Sequence, residues 1–198
     1  MKRINNQTYL LSNPVTIKEA ASIVGPKEKD GPLSSYFDTC LEDEFWGEKT
    51  WEKAESKIVK ETINSLISKS NIAHNDIDFC FAGDLLNQCI ASSFAYRESN
   101  IPYIGLFGAC STFIESMMVA SAFIDGGFAN NTICSASSHF CSAEKQFRFP
   151  LELGNQRPPS SQWTVTGCGS VILTNDKNSL KESLPKIKVT SFTPGKII

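Results

Sequence analysis

A cysteine at the start of a predicted helix is the most chemically suggestive residue in the sequence. Cys110 follows an apolar strand at residues 101–107 and a Gly-Ala turn, and Ser111 then begins an amphipathic helix. A helix N-terminus offers unpaired N–H groups and the positive end of the helix dipole, and both favour a thiolate. Three interpretations of Cys110 stay open at this point: a catalytic nucleophile, a residue that lines a pocket, or a core residue.

A catalytic thiol also needs an acid or a base close to the sulfur. The sequence has two histidines, and the first of them, His74, lies in a polar loop where we expect it to be solvated. His139 follows a predicted strand at residues 132–136. It is therefore placed either to approach Cys110 or to be a hydrogen-bonded interior histidine.

Other polar side chains also follow predicted strands. Asp84 comes just after an apolar strand at residues 79–82, and Ser138 lies beside His139. Because ligands of parallel sheets bind beyond the carboxyl ends of the strands, we expect these residues to lie near Cys110. Asp84 is either a functional carboxylate or a turn residue that caps the helix after it.

The elements that must position these residues alternate between strands and helices. Helices are predicted at residues 49–69, 88–99 and 111–125, and strands at 79–82, 101–107, 132–136, 164–173 and 186–192. Such alternation requires crossover helices, so it predicts an α/β fold with a mostly parallel sheet. Residues 1–45 are interpreted as an irregular segment with a solvated loop at 25–32, and residues 46–198 as the folded domain.

Composition narrows the function classes. The chain of 198 residues is long enough for one domain, and its net charge of −2 gives no reason to expect a nucleic-acid partner. Seven scattered cysteines without a Cys-x-x-Cys pair argue against a zinc site or a disulfide framework. The glycine-containing run at 166–170 lacks the lysine of a phosphate loop, so we predict no cofactor.

Membrane and export signals are missing from the sequence pattern. No apolar run approaches the ~20 residues that span a bilayer. Residues 1–11 are polar and lack a signal-peptide core. We therefore expect a protein that is made in the cytoplasm and kept inside the cell.

The order of four motifs resembles the N-terminal half of thiolase-fold condensing enzymes. They are Asp-Ile-Asp (76–78), Phe-Gly-Ala-Cys-Ser-Thr (107–112), Ile-Asp-Gly-Gly (124–127) and Thr-Gly-Cys-Gly-Ser (166–170). In that superfamily the residue that matches Cys110 accepts the acyl group, whereas the catalytic histidine comes from the second half. The resemblance implies one half of a two-half thiolase-like fold, and we expect the chain to be a truncated N-terminal half.

A narrower resemblance, from about residue 7 to the last residue, is to the stage V sporulation protein AD family. The matching runs are Gly-Pro-Lys-Glu-Lys-Asp-Gly-Pro-Leu (25–33), Ala-Gly-Asp-Leu-Leu-Asn-Gln (82–88), Phe-Gly-Ala-Cys-Ser-Thr (107–112), Ser-Ser-His (137–139) and Glu-Lys-Gln-Phe-Arg-Phe-Pro (144–150). The resemblance implies a non-catalytic protein that binds dipicolinic acid, or its calcium complex, for uptake into the forming spore. It also implies a peripheral location at the spore inner membrane, beside membrane subunits of the same transport system.

A dipicolinate site needs donors for two carboxylates and apolar walls for a flat ring. The candidate binding residues are Asp84, Cys110, Ser111, Thr112, Ser138, His139, Thr166 and the Gly167 backbone. Asp84 is the candidate oxygen ligand if calcium enters with the dipicolinate. Cys110 marks the floor of the pocket.

Two other functions stay open as alternatives. One is an acyltransferase or condensing enzyme that uses Cys110 as its acyl-accepting nucleophile. The other is a structural scaffold that pairs with the membrane subunits. Thiolase-like folds commonly dimerise through the strand before the nucleophile, which predicts a homodimer through residues 101–107.

Overall fold

The computed structural model describes residues 1–147, 164–175 and 184–191, which form one eight-stranded sheet with helices on both faces. The strands are β1 (Lys2–Arg3), β2 (Thr8–Val24), β3 (Thr39–Cys40), β4 (Phe79–Gly83), β5 (Tyr103–Gly105), β6 (Asn131–Ser138), β7 (Gly167–Thr174) and β8 (Lys186–Ser191). The helices are α1 (Pro26–Lys29), α2 (Trp51–Ser70), α3 (Ile90–Tyr96), α4 (Thr112–Asp125) and α5 (Phe140–Phe147). Short 3-10 turns lie at Ser34–Tyr36, His74–Asp76, Asn87–Cys89 and Ala109–Ser111.

The sheet is mixed rather than mostly parallel. Its strand order is β1-β2-β7-β6-β4-β5, and both β3 and β8 also pair with β2. β4 runs parallel to β5 and β6, which are the strands that the crossover helices α3 and α4 connect. β7 runs antiparallel to β6 and to β2. The prediction of parallel pairing was correct for β4, β5 and β6 and wrong for β7. The crossover rule applies to parallel neighbours only, so it does not determine how β7 enters the sheet.

The N-terminal segment contains the longest described strand, so the interpretation of residues 1–45 as irregular was wrong. β2 pairs with β7 over Thr16–Val24 and lies inside the sheet. A register shift between Ile17 and Glu19 interrupts that ladder, and Pro14 lies within a second irregular stretch of the strand. These interruptions break the alternation of apolar and polar residues by which a strand is recognised in sequence.

Helix α2 covers one face of the sheet and agrees with its predicted span of 49–69. The Thr50 hydroxyl accepts a hydrogen bond from the Lys53 N–H at 3.3 Å and so caps the first turn. Asn71 ends the helix in a left-handed conformation. The apolar side of α2, with Ile58 and Leu66 fully buried, packs against the sheet. Burial of each such side chain stabilises the fold by about 1.5–3 kcal/mol.

Helix α4 covers the opposite face. Ala120 is fully buried against the sheet, and its small side chain lets the helix approach the strands closely. The Phe123 ring packs edge-on against Phe81 at a centroid distance of 5.0 Å. Phe81 and its neighbour Cys80 are both fully buried, but they belong to the cores on opposite faces. The sheet therefore has a core on each side.

One helix is shorter than predicted and another was not predicted. The helix predicted at 88–99 is only Ile90–Tyr96, because Gln88 and Cys89 have left-handed backbone conformations that delay its start. The sequence interpretation did not include α5, Phe140–Phe147, which follows directly after β6. Its eight residues are too few for a clear helical period in the sequence.

A close backbone approach joins β4 to the segment after β5. A Cβ atom at Gly83 would lie only 1.9 Å from the Leu106 carbonyl oxygen, so this position has no room for a side chain. The Leu106 N–H also donates to the Ala82 carbonyl at 2.9 Å. Gly83 thus allows the chain to bring Asp84 and Cys110 to the same end of the sheet.

Gly83→Ala should therefore destabilise the chain, by roughly 1–3 kcal/mol, since rigid backbone must move to admit the methyl group. Urea unfolding of the purified chain measures the change. Gly169→Ala is the matched control, because a Cβ atom at Gly169 would meet nothing within 4 Å. Equal stabilities of the two variants would contradict this account of the β4–β5 contact.

Candidate functional site

A cleft of about 780 Å³ opens where β4 and β6 end, β7 begins and α4 starts. Its described lining mixes apolar, hydroxyl and carboxylate side chains with glycine backbone. The lining residues are Ser22, Val24, Phe37, Asp84, Leu85, Ala109, Cys110, Thr112, Ala136, Ser137, Ser138, Glu144, Phe147, Thr164, Val165, Gly167, Cys168 and Gly169. The location agrees with the rule that open α/β sheets bind ligands beyond the carboxyl ends of their parallel strands.

The structure brings the predicted site residues to this end of the sheet, but not all of them reach the cleft. Asp84, Cys110, Thr112, Ser138 and Gly167 line it. Ser111, His139 and Thr166 are neighbours of lining residues and are not part of the lining themselves.

Cys110 lies in the 3-10 turn Ala109–Ser111, and its side chain is exposed on the cleft wall. Ala109, immediately before it, has a left-handed backbone with φ of +48°, which is unusual for a residue with a Cβ atom. That conformation turns the chain sharply between β5 and α4. Of the three interpretations of Cys110, the geometry agrees with a residue that lines a pocket.

The turn around Cys110 is held by hydrogen bonds within the segment. The Gly108 N–H donates to the Thr112 hydroxyl at 3.0 Å, and the Ser111 hydroxyl donates to the Gly108 carbonyl at 2.8 Å. Ser111 precedes α4 but its side chain makes no capping hydrogen bond. The Ser111 hydroxyl therefore stabilises the turn instead of reaching the cleft.

Asp84 is almost completely buried, and both of its carboxylate oxygens accept hydrogen bonds. Oδ1 accepts from the Leu86 N–H at 2.8 Å, and Oδ2 accepts from the Ser92 N–H at 2.8 Å and from the Ser92 hydroxyl at 2.6 Å. These bonds fix the loop between β4 and α3. Asp84 is thus the turn carboxylate of the alternative interpretation, with its oxygens already engaged where a calcium ligand would need them free.

His139 is fully buried and does not line the cleft. Its Nε2 lies 2.8 Å from the Glu44 backbone carbonyl, and its Nδ1 accepts from the Cys141 N–H at 3.2 Å. This pair of partners requires the neutral imidazole with its proton on Nε2. His139 is therefore the hydrogen-bonded interior histidine, and it offers Cys110 no free nitrogen.

Thr166 connects the start of β7 to the loop at residues 25–32. Its hydroxyl accepts from the Phe140 N–H at 3.0 Å, and its N–H donates to Glu28 Oε1 at 3.3 Å. A Cβ atom at Gly25 would lie 2.8 Å from that of Thr166, so the two segments are in tight contact. The loop at residues 25–32 was predicted to be solvated, but its Gly25 and Glu28 pack against Thr166. The sequence could not indicate this contact, because Thr166 is far from the loop along the chain.

The sequence interpretation missed Glu55, a fully buried carboxyl group on α2. The Ser137 hydroxyl donates to its Oε1 at 2.9 Å, and the Ser142 hydroxyl donates to its Oε2 at 3.3 Å. Burial away from water, and next the charge of Asp84, raise the pKa of Glu55 to about 8. Its position one turn before Ile58, on the apolar side of α2, was the available signal.

Glu55→Gln should flatten the pH dependence of stability. The pKa of about 8, against 4.5 for an unperturbed side chain, means that the folded chain retains a proton that the unfolded chain releases between those pH values. The wild type should therefore lose up to about 1.4 kcal/mol of unfolding free energy per pH unit as pH rises through that window. Urea unfolding at several pH values between about 5 and 8 measures this slope.

The control for this measurement is Glu61→Gln on the same helix, where Glu61 accepts a hydrogen bond from Asn64. It should keep the wild-type slope. A Glu55→Gln variant with an unaltered slope would contradict the assignment of the proton to Glu55.

Neither a metal-binding cluster nor a membrane-spanning helix occurs in the described part of the chain. Within residues 1–147, 164–175 and 184–191, no three His, Cys, Asp or Glu side chains are grouped so as to hold a metal ion. Among the helices of that same part of the chain, none combines the length and the apolarity that crossing a membrane requires.

Solved structures show the fold. The chain is similar to 3-oxoacyl-[acyl-carrier-protein] synthase III from Aquifex aeolicus, with a TM-score of 0.55 and 15% identity over 83% of this chain and 55% of that one. It is also similar to the OleA variant H285N of Xanthomonas campestris, with a TM-score of 0.53 and 14% identity over 85% and 58% of the two chains. The predicted thiolase-like α/β fold is confirmed.

Sequence comparison shows the family. The family model described as stage V sporulation protein AD matches residues 5–198. The stage V sporulation protein AD of Bacillus subtilis is 41% identical over 197 residues, which cover the whole of this chain and 56% of the relative. The chain thus spans about half the length of that curated relative. On this evidence, the chain belongs to the stage V sporulation protein AD family.

Proposed function

We propose that the chain is a non-catalytic, ligand-binding part of a sporulation protein, and that its cleft binds dipicolinic acid for uptake into the forming spore. We further propose that it acts peripherally at the spore inner membrane, beside the membrane subunits of the same transport system. The observation that carries the proposal is a cleft of about 780 Å³ at the carboxyl ends of β4 and β6, in a member of this family. That volume is in the range of small-molecule sites.

The lining suits a flat ring that carries polar groups. Val24, Phe37 and Phe147 supply apolar surface, while Thr112 and Ser137 supply hydroxyl groups. Ser138 also lines the cleft, but its hydroxyl donates to the Val165 carbonyl. The Thr112 hydroxyl accepts from the Gly108 N–H and keeps its own proton for a ligand carboxylate. The Ser137 hydroxyl, in contrast, is available as a donor only when it does not donate to Glu55.

The charge of the lining favours dipicolinate as its calcium complex. Among the described lining residues the charged side chains are Asp84 and Glu144, and none is a lysine or an arginine. A bare dicarboxylate would meet two carboxylates of the same sign there. A calcium ion that enters with the ligand offsets this repulsion by its charge, without using the Asp84 oxygens that accept hydrogen bonds from Leu86 and Ser92.

The histidines of this chain give no support to Cys110 as a nucleophile. Cys110 is exposed on the cleft wall, yet His139 has both ring nitrogens engaged elsewhere. His74 lies in a 3-10 turn before β4, at the opposite end of that strand from the cleft. Neither histidine of the chain is placed to activate the thiol.

Calorimetric titration with calcium dipicolinate tests the proposal, and Gly169→Leu is the informative variant. Gly169 lines the cleft and a Cβ atom there meets nothing within 4 Å, so a leucine side chain starts into open space that the ligand needs. We expect the affinity to fall at least about tenfold, which corresponds to about 1.4 kcal/mol of binding free energy.

The control is Val189→Leu on β8, which is exposed and outside the cleft lining. It should bind like the wild type. No heat of binding by the wild type at millimolar dipicolinate, with or without calcium, would overturn the proposal.

We also propose that the chain forms a homodimer through β5. Among the described strands β5 pairs only with β4, so its outer edge is open. Exposed apolar side chains lie on the elements beside that edge; they are Ile90 and Phe94 on α3, Phe107 after β5, and Ile114 on α4. An open edge with apolar neighbours favours strand pairing between copies.

Ile114→Glu should weaken this dimer, because Ile114 is 66% exposed and a buried unpaired carboxylate is costly. Sedimentation equilibrium should give twice 21.8 kDa for the wild type and values approaching 21.8 kDa for the variant. Phe128→Glu, on an exposed residue after α4, is the control and should remain dimeric. A monomeric wild type would contradict the proposal.

A further inference from the structure

Glu55 lies directly behind the wall of the cleft. Its side chain is completely buried, and its Oε1 accepts from the hydroxyl of Ser137, which itself lines the cleft near the end of β6. Its Oε2 accepts from the hydroxyl of Ser142 on α5. One hydrogen bond therefore separates this buried carboxyl group from the space that a ligand would fill.

Two other carboxylates, those of Asp84 and Glu52, lie near Glu55. Asp84, after β4, raises the pKa of Glu55 through its charge, and so does Glu52 on α2, which is 3.8 Å from Lys145 of α5. On β7 the buried Cys168 is a thiol whose pKa is raised by desolvation, so it stays neutral. No cation of the described residues forms an ion pair with Glu55, so a proton is what neutralises it.

We propose that Glu55 is a positioning residue that links the binding of a carboxylate-bearing ligand in the cleft to the binding of one proton. The inference rests on the proposed function, since dipicolinate supplies the carboxylate in question. The ligand does not contact Glu55, but the two protonation states of its carboxyl group change what the cleft offers to the ligand.

The two states present Ser137 differently. An ionised Glu55 has only acceptor oxygens, so Ser137 must point its proton inward, away from the cleft. A neutral Glu55 has an O–H of its own. With the proton on Oε1, which is 2.9 Å from the Ser137 oxygen, Glu55 donates to Ser137, while the Ser142 hydroxyl near Oε2 also lies 3.1 Å from the His139 carbonyl. Ser137 is then free to donate its proton to a ligand carboxylate. The proton on Glu55 comes from solvent, and Ser137 keeps its own throughout. The neutral state also removes one negative charge from beside Asp84.

The sign of the effect follows from these two states. Below about pH 8 the carboxyl group of Glu55 is neutral and the cleft offers the Ser137 donor. As pH rises through its pKa, the ligand must bring a proton with it, and affinity falls by up to about tenfold per pH unit. The ligand does not contribute to this change, because carboxyl groups in water are already ionised in that range.

Calorimetry with calcium dipicolinate between about pH 7 and 9 tests the inference on the whole chain. For the wild type we expect affinity to drop by up to about tenfold between pH 8 and 9, with uptake of one proton on binding in buffers of different ionisation heat. Glu55→Gln, whose amide always has a donor for Ser137, should bind with an affinity that varies much less. Ionisation of the Cys110 thiol would affect both proteins alike, so the difference between them isolates Glu55.

Two further variants keep the test decisive. Ser137→Ala should bind weakly at pH 7 and lose the pH dependence even though Glu55 is present, and it serves if Glu55→Gln fails to fold. Glu61→Gln should reproduce the wild-type profile. Equal pH profiles for the wild type, Glu55→Gln and Ser137→Ala would overturn the inference alone, whereas no binding at any pH would overturn the proposed function together with it.

Discussion

The pairing of β2 with β7 is the contact on which the rest of the structure depends. It joins the N-terminal strand to one that begins more than 140 residues later, with Val24 opposite Gly167 and Thr16 opposite Thr174. β7 pairs with β6 on its other side, so this strand connects the N-terminal part of the sheet to the parallel strands. Both cores need that connection, because residues of β2 and β7 occur in the apolar cluster on each face. The loop-closure cost of so distant a pairing is modest compared with the burial that it allows.

The same pairing forms the cleft. Val24 and Gly167 end up side by side at its wall, opposite the turn that carries Cys110. The polar groups around this wall form hydrogen bonds within the protein. The pairs are Asp84 with Ser92, His139 with Glu44, and Thr166 with Glu28. Buried polar groups must find such partners, so these residues first hold the loops in place. What remains for a ligand is the surface that this scaffold leaves open.

The fold and the family have different implications for chemistry. The solved structures that resemble the chain include acyl-carrier-protein synthases at about 15% identity, a likeness that speaks for the fold alone. The Cys110 thiol lies next to the left-handed Ala109, in the sharp turn between β5 and α4. His139 does not line the cleft beside it, whereas the carboxylates of Asp84 and Glu144 do.

Local patterns in the sequence determined much of this protein. The fold class and the end of the sheet where the site lies could be predicted from the helical period of α2, the apolar strand β4 and the turn at Cys110. The family could be predicted from the order of the motifs along the chain. These features depend on residues that are close together in the sequence, so a single sequence is enough to predict them. The tertiary structure alone decided the antiparallel entry of β7, the place of β2 inside the sheet and the buried setting of Glu55. It also decided that His139 faces Glu44 and not Cys110, since a side chain's partners are set by segments far apart in sequence.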